Sequence, residues 1–348
     1  MDGQNMEKKA TLTSFILNDK LTELIEAFPA VDFAFAYGSG VIQQQGYSKH
    51  VSSASELPML DLVLAVKDSE AWHRSNLESR NSEHYSGVAR LLGAGRVAQL
   101  QEGFGAKMYY NTLIPITSTP HRGRSMKYGV ISTKHLTEDL RDWTWLYAAG
   151  RLQKPVRVIQ ASGEVSSAIQ ENLVSATKVA LLLLPESFSA KELYKTIAGL
   201  SYTGDFRMYF GENPNKVRNI VASTLDRFQN LYDPAIQTIP GLVAKGHDCS
   251  SYDQDTSPSA RMALARALPL ALRGQLPTLI GKGGPSGGLE NRWAPTAKDV
   301  SRALAAVVSR SSLRQGVKGL LTAGLLKSAS YSFAKVSHAF YGRRVSSK

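Results

Sequence analysis

Two short apolar runs stand out from the polar background. Val31 to Ala36 leads into Tyr37, and Met59-Leu60-Asp61-Leu62-Val63-Leu64 follows a polar stretch. Apolar runs of this length, bounded by turn residues, predict strands buried on both faces. Around them the spacing predicts helices. Leu12, Phe15, Ile16, Leu24, Ile25 and Phe28 recur at helical intervals until Pro29 ends the pattern. A helix over 69–92 would be capped by Ser69 and broken near Asn81-Ser82. Ala106 to Asn111, extended by Leu113 to Ile116, and Lys127 to Ser132 predict two further strands, and helix resumes from Thr133.

Gly150 to Pro155 combines a glycine stop, a basic stretch and a proline, and predicts a domain junction. Beyond it, residues 163–184 and 190–200 predict helices, the second capped by Ser187 or Ser189. Phe206 to Gly211 predicts a short strand, and 214–232 a helix opening at Pro214. Residues 233–300 show little periodicity, and Gly281 to Gly288 predicts a flexible linker. From Leu313 the chain is again helix-prone, with Val317, Leu320, Leu321 and Leu325 on one stripe and Phe333, Val336 and Phe340 on another.

Composition sharpens this picture in three ways. An apolar fraction of 43% in 348 residues is that of a globular protein of two or three domains. The single cysteine, Cys249, excludes an internal disulfide and a cysteine-rich zinc site. Of the twelve net positive charges only three belong to the first 300 residues, because residues 301–348 hold nine Lys and Arg and no acid. A basic tail of that kind seeks phosphate, on lipid or nucleic acid. The longest apolar run, Val179 to Leu184, stops at Pro185, far short of the ~20 residues of a span. With Asp2 and Glu7 the N-terminus lacks the Arg-rich look of a transit peptide, so sequence physics predicts a soluble or peripheral protein.

The candidate chemistry lies in the first strand pair. Gly38-Ser39-Gly40 ends the first strand, and glycines there let backbone N–H groups approach phosphate oxygens. Asp61 on the second strand is a carboxylate that could hold Mg²⁺. The same residues also fit an ordinary turn and strand start. Lys127 is either a point cation for phosphate or a solvated strand end. His84-Tyr85 could meet a phosphate and a base, or line a helix–sheet interface. Trp143, Trp145, Leu146 and Tyr147 predict packing, and Asp205 with Arg207 either a local salt bridge or site groups.

Tyr37-Gly38-Ser39-Gly40-Val41 with Met59-Leu60-Asp61 resembles the mitochondrial phosphatidate cytidylyltransferase family, also called translocator assembly and maintenance proteins. The resemblance continues through Ala71-Trp72-His73, Ser82 to Ser86, Met126 to Thr133, Leu146 to Pro155, Leu184 to Phe188 and Gly199 to Met208. It spans roughly residues 20–235, with an echo from Lys318-Gly319 to Ala323-Gly324. It implies an α/β (α+β) nucleotidyltransferase-like mixed sheet with helices (1–152), then a small helical, winged-helix-like domain (153–240). An irregular linker region (241–312) and a basic amphipathic tail (313–348) follow.

The implied reaction joins CTP to phosphatidate, giving CDP-diacylglycerol and pyrophosphate. The implied roles are catalysis by Asp61, Lys127 and Arg207, nucleotide binding by Tyr37, Gly38, Ser39, Gly40, His84 and Tyr85, and Mg²⁺ binding by Asp61 and Asp205. The usual second and third carboxylates of that superfamily are replaced by Val63 and Asn111. One Mg²⁺ then suffices, or Asp205 joins from the second domain. The implied setting is peripheral, on the matrix side of the mitochondrial inner membrane, against an anionic surface rather than nucleic acid. A nucleotidyltransferase acting on RNA and a non-catalytic membrane assembly factor stay open on composition alone.

Overall fold

The computed structural model describes residues 19–42, 57–118, 121–210, 215–246, 250–280 and 294–323. A five-stranded mixed sheet anchors the first half: β1 Phe33–Tyr37, β2 Leu60–Val66, β3 Met108–Pro115, β4 Ser125–Ser132 and β5 Arg157–Gln160, in the order β3-β4-β2-β1-β5. β2 and β4 run parallel, and the other pairings are antiparallel. β1 and β2 are the apolar runs picked out by the pattern.

Because side chains alternate along a strand, the register sorts the sheet into two faces. Phe35, Val63, Ala65, Met108, Tyr110 and Ile131 face one core, with the helices Thr133–Asp142 and Gly163–Leu183. Ala36, Leu60, Leu62, Leu64, Tyr128 and Val130 face another, closed by Trp72 and the helix Asp19–Ile25. Tyr37 pairs with Asp61, and Asp61 with Lys127, so all three belong to the first face, at the end where β1 stops and β2 and β4 begin.

The stretch 69–92 splits into Ser69–Glu78, a 3₁₀ turn Arg80–His84 and Gly87–Gly103. Its cap is Asp68, which accepts from Ala71 N at 2.9 Å, and not Ser69, whose hydroxyl donates to Glu102. Ser189 caps Ala190–Gly199 with a full capping box to Glu192.

Three expectations for the second half need correction. Phe206 onward is the helix Arg207–Phe210 rather than a strand, begun by the Asp205 carboxylate accepting from Arg207 N. The single helix at 214–232 is two, Lys216–Ser223 and Leu225–Ile236, broken where Thr224 turns its hydroxyl back to Ile220 O. The region with little periodicity contains β7 Leu242–Lys245, β8 Ser251–Gln254 and the helices Pro258–Arg266 and Leu270–Ile280. Four-residue strands, β7 with one face largely exposed, carry too few alternations to register as a pattern.

β6 Ser187–Ser189 joins these strands in a second sheet ordered β6-β8-β7, antiparallel throughout. The linker Gly281 to Gly288 lies outside the described residues. The basic tail begins inside one continuous helix, Ala297–Ala323, which buries Val300, Ala303, Leu304 and Val308. Gln315 bridges Ala106 N and Met108 O, and Lys318, 1% exposed, donates to the carbonyls of Gln101 and Phe104. This part of the tail is docked on the body, and residues 324–348 lie outside the described residues.

Candidate active site

Gly38 leaves β1 at φ +78°, a conformation that favours glycine, and a Cβ built on it would stand 3.7 Å from Asp61 Oδ2. The turn therefore lies directly against the carboxylate. At Gly40 a Cβ would meet Met59 O at 2.3 Å, so the turn crosses the backbone just before β2. Arg124, which the sequence reading missed, ties the crossing: its Nη2 donates to Gly40 O at 3.0 Å and to Pro58 O at 2.6 Å. Ser39 lies between the two glycines, partly exposed.

A cluster of cations and tyrosines closes over this end of the sheet. Lys127 stands 4.5 Å from the Tyr110 ring centroid, and the Arg151 guanidinium 5.1 Å from Tyr37 and 4.1 Å from Tyr147. Tyr147 is held in a loop built on one acid. Asp139, 1% exposed, accepts the N–H groups of Trp145, Tyr147, Ala148 and Ala149 at 2.8–3.0 Å. Arg151 in turn donates to Tyr147 O. Burial opposes ionisation of the Tyr147 phenol, yet Arg151, Arg207 and Lys127 outweigh it and draw its pKa below the ordinary value. Cations that lower the pKa of a buried phenol also suit a phosphate.

Arg207 reaches this cluster from the second half of the chain. Asp205, 1% exposed, grips it through both carboxylate oxygens: Nε lies 3.0 and 3.1 Å from them and Nη2 2.5 Å from Oδ2. Burial disfavours the Arg207 charge, but these bonds more than restore it. Asp205 thus orients the arginine and has its oxygens engaged in doing so.

Among the described residues no three His, Cys, Asp or Glu side chains gather as metal ligands. Asp61 alone, partly exposed beside the open Gly38 turn, suits Mg²⁺, which often takes one or two carboxylates and completes its shell with water and substrate phosphates.

Of the residues expected at the site, the structure brings together Tyr37, Gly38, Ser39, Gly40, Asp61 and Lys127, with Arg207 linked to them through Tyr147. His84 and Tyr85 are not brought there. Tyr85 is buried against His73 Nδ1 (2.7 Å) and Asn76 Nδ2 (3.0 Å), and His84 Nδ1 lies 3.1 Å from the Tyr128 hydroxyl. Tyr128 points to the face opposite Asp61, so this pair lines the helix–sheet interface. The sequence reading missed Tyr110, Tyr147, Arg151, Lys154 and Arg124. The run Leu146 to Pro155 held three of them, and the signal was one tyrosine followed by two cations at spacings of four and three, which reads equally as a junction.

A glycine turn on a mixed sheet, one carboxylate and a ring of cations define a protein built to handle nucleotide or other phosphates. The family described as "Phosphatidate cytidylyltransferase, mitochondrial" matches residues 21–338, and the chain belongs to it. Relatives of that name are 42% identical in Danio rerio, over 92% of this chain and 94% of theirs, and 42% in Drosophila melanogaster, over 92% and 99%. In Schizosaccharomyces pombe the relative is 37% identical, over 92% of this chain and 83% of its own.

Proposed function

We propose that the protein is a CTP:phosphatidate cytidylyltransferase. A phosphate oxygen of phosphatidate attacks the α-phosphorus of CTP, the bond from that phosphorus to the β-bridging oxygen breaks, and pyrophosphate leaves with the electron pair. The product is CDP-diacylglycerol, the precursor of phosphatidylglycerol and cardiolipin. The observation that carries this reading is the convergence of Gly38, Asp61, Lys127, Arg151 and Arg207 in a family of that name.

The nucleophile is already anionic at neutral pH, so no strong general base is required. The residues then have two tasks, positioning and charge neutralisation. The Gly38–Gly40 turn offers backbone donors to the triphosphate, and Lys127 and Arg207 offset its charge. Mg²⁺ at Asp61 supplies further neutralisation of the phosphate oxygens when bound. Asp205 holds the fork of Arg207 in one orientation, so a planar bidentate grip on phosphate is preorganised.

The first half is read as nucleotidyltransferase-like. The second half is read as winged-helix-like, supported by its order of helix, strand, helices and two further strands forming a β6-β8-β7 sheet. The relatives' names place them in mitochondria, and the proposed setting is the matrix face of the inner membrane. Among the described residues no helix is long and apolar enough to cross a membrane, consistent with peripheral attachment. The basic residues Lys327, Lys335, Arg343, Arg344 and Lys348 suit an anionic surface.

The test is to supply labelled CTP and Mg²⁺ with either phosphatidate vesicles or RNA. Label in the lipid fraction is expected, and label in RNA or in neither overturns the reading. Asp61→Asn should lower the lipid-linked rate by about 100-fold or more with the fold intact.

A further inference from the structure

Among the described residues, three of the nine large apolar side chains that stand exposed fall within five positions: Val88 (66%), Leu91 (88%) and Leu92 (56%). They form a patch, not the usual scatter of single exposed residues. Spacings of three and four put all three on one side of the turn that opens the helix Gly87–Gly103. The other side is the anchor. Ala89 is buried with Tyr85, Val97 and Tyr109, and Ser86 Oγ accepts from Ala89 N at 3.3 Å. At Gly93, with φ +77° and ψ 174°, the helix breaks, so residues 87–92 form a turn of their own. A Cβ on Gly87 or Gly93 would meet nothing within 4 Å. The turn is a knuckle standing in open space.

The charge of this stretch has one sign. From His84 to Gln101 the chain carries Arg90 and Arg96, both exposed, and no Asp or Glu. Glu70, which comes beside Gly95 from another helix, is paired with Arg74. An apolar knuckle flanked by arginines matches a lipid surface with anionic headgroups, where leucine enters the acyl boundary and arginine meets phosphate. A protein partner would need about 20–30 residues a side, and three side chains on one turn fall far short of that. The knuckle is also rooted near the Asp61 end of the sheet. Tyr85, just before it, shares Asn76 with Tyr128, the neighbour of Lys127.

We propose that Val88, Leu91 and Leu92 enter the surface of an anionic bilayer, with Arg90 and Arg96 on its headgroups. This rests on the reading of the protein as a phosphatidate cytidylyltransferase, whose lipid substrate is drawn from such a surface. It adds a contact in the first half of the chain to the one expected of the basic tail. The tail alone would only tether the protein. A second contact, on the body itself, fixes which side of the first half faces the lipid.

The test uses the full chain with Cys249→Ser, which removes the single cysteine, and Leu91→Cys carrying an environment-sensitive fluorophore. Leu91 is too exposed to support packing, so these variants should melt like wild type. With vesicles of phosphatidylcholine and phosphatidylglycerol the emission should shift to the blue and be quenched by spin-labelled acyl chains. An unchanged emission overturns the proposal. So does a blue shift without vesicles that grows with protein concentration, since a second copy would then cover the patch.

Burying a leucine side chain carries a factor of roughly ten to a hundred in an equilibrium. Leu91→Ser combined with Leu92→Ser should therefore lower the vesicle partition coefficient about tenfold or more, even with the tail present. Arg90→Gln should lower it about fivefold at low salt. Unchanged partition of the double variant overturns the proposal. Turnover of long-chain phosphatidate in vesicles should fall in step, while turnover of monomeric short-chain phosphatidate stays within about twofold. Equal losses on both would place the effect in the cleft and refute the surface role. If wild type forms no CDP-diacylglycerol yet the fluorophore at position 91 enters vesicles, the functional reading fails and the surface contact stands.

Discussion

Asp139 offers a sharp test of how the cleft is held. One Asp139 carboxylate oxygen accepts from Tyr147, Ala148 and Ala149, and the other from Trp145. In Asp139→Asn the amide oxygen keeps the three-donor side, which leaves the NH₂ facing the Trp145 N–H, donor against donor. Losing that bond costs about 1.5–3 kcal/mol, and the remaining three lose their charge assistance. Burial pushes the Asp139 carboxyl above its usual value, so removing the charge returns part of the loss. The net is about 3 kcal/mol, which at roughly 2–3 °C per kcal/mol for a larger domain lowers Tm by about 6–9 °C. Activity assayed well below both melting points should fall further than the folded fraction, because Tyr147 and Arg151 are placed by this loop. A variant with Tm within about 2 °C of wild type and kcat within about twofold would refute the reasoning.

Further outcomes can be checked alongside. Gly38→Val puts a β-branched side chain at φ +78° against Asp61, and nucleotide affinity measured by titration should fall while the melting of the second half is unchanged. Arg207→Lys keeps the charge but loses the fork that Asp205 orients, so kcat should drop by about tenfold or more, and equal rates would leave the pair as a salt bridge only. His73 is fully buried between the Tyr85 hydroxyl and Gln101 Oε1, and burial lowers its pKa from 6.5 to about 4. Between those values the unfolded chain binds a proton that the folded chain does not. Stability should therefore be lost as pH falls from about 6.5 to 4, by up to about 3 kcal/mol. Urea unfolding of wild type at pH 7 and 5 against His73→Gln checks this, and a flat wild-type profile would refute it.

The parts of the fold that were legible share one property: their pattern is long or uniform. β1 and β2 are central strands buried on both faces, and the 21 residues of Gly163–Leu183 repeat the helical period for several turns. The parts that were not legible depend on side chains meeting from far apart in sequence. The helix Ala297–Ala323 is fixed at Gln315 by Ala106 and Met108, contacts about 200 residues away that no local pattern can reveal. Asp61 and Gly38 were legible because a strand-end acid and a glycine turn are local. Arg151 was not, because its place beside the site comes from Tyr37, more than a hundred residues earlier, and His84 misled because a polar residue under a sheet looks alike whether it meets a ligand or a tyrosine.

The charge balance of the cleft follows from what it must join. A nucleotidyltransferase that activates a sugar hydroxyl needs carboxylates to hold metals and take a proton. Here both reactants arrive as anions. At a separation of about 4 Å and an effective dielectric of 20, each pair of opposed unit charges costs about 4 kcal/mol. An extra carboxylate at the position of Val63 would add to that repulsion, and there would be no hydroxyl proton to remove. Asn111 donates to Tyr128 on the opposite face of the sheet and so is no counterpart of a third site carboxylate. Cations reduce it, and the structure gathers Lys127, Arg151, Lys154 and Arg207 where the sheet meets the second half. Arg207 comes from that second half, where Asp205 orients it. The shortage of acids around Asp61 is thus part of the same chemistry as the surplus of cations around Arg151.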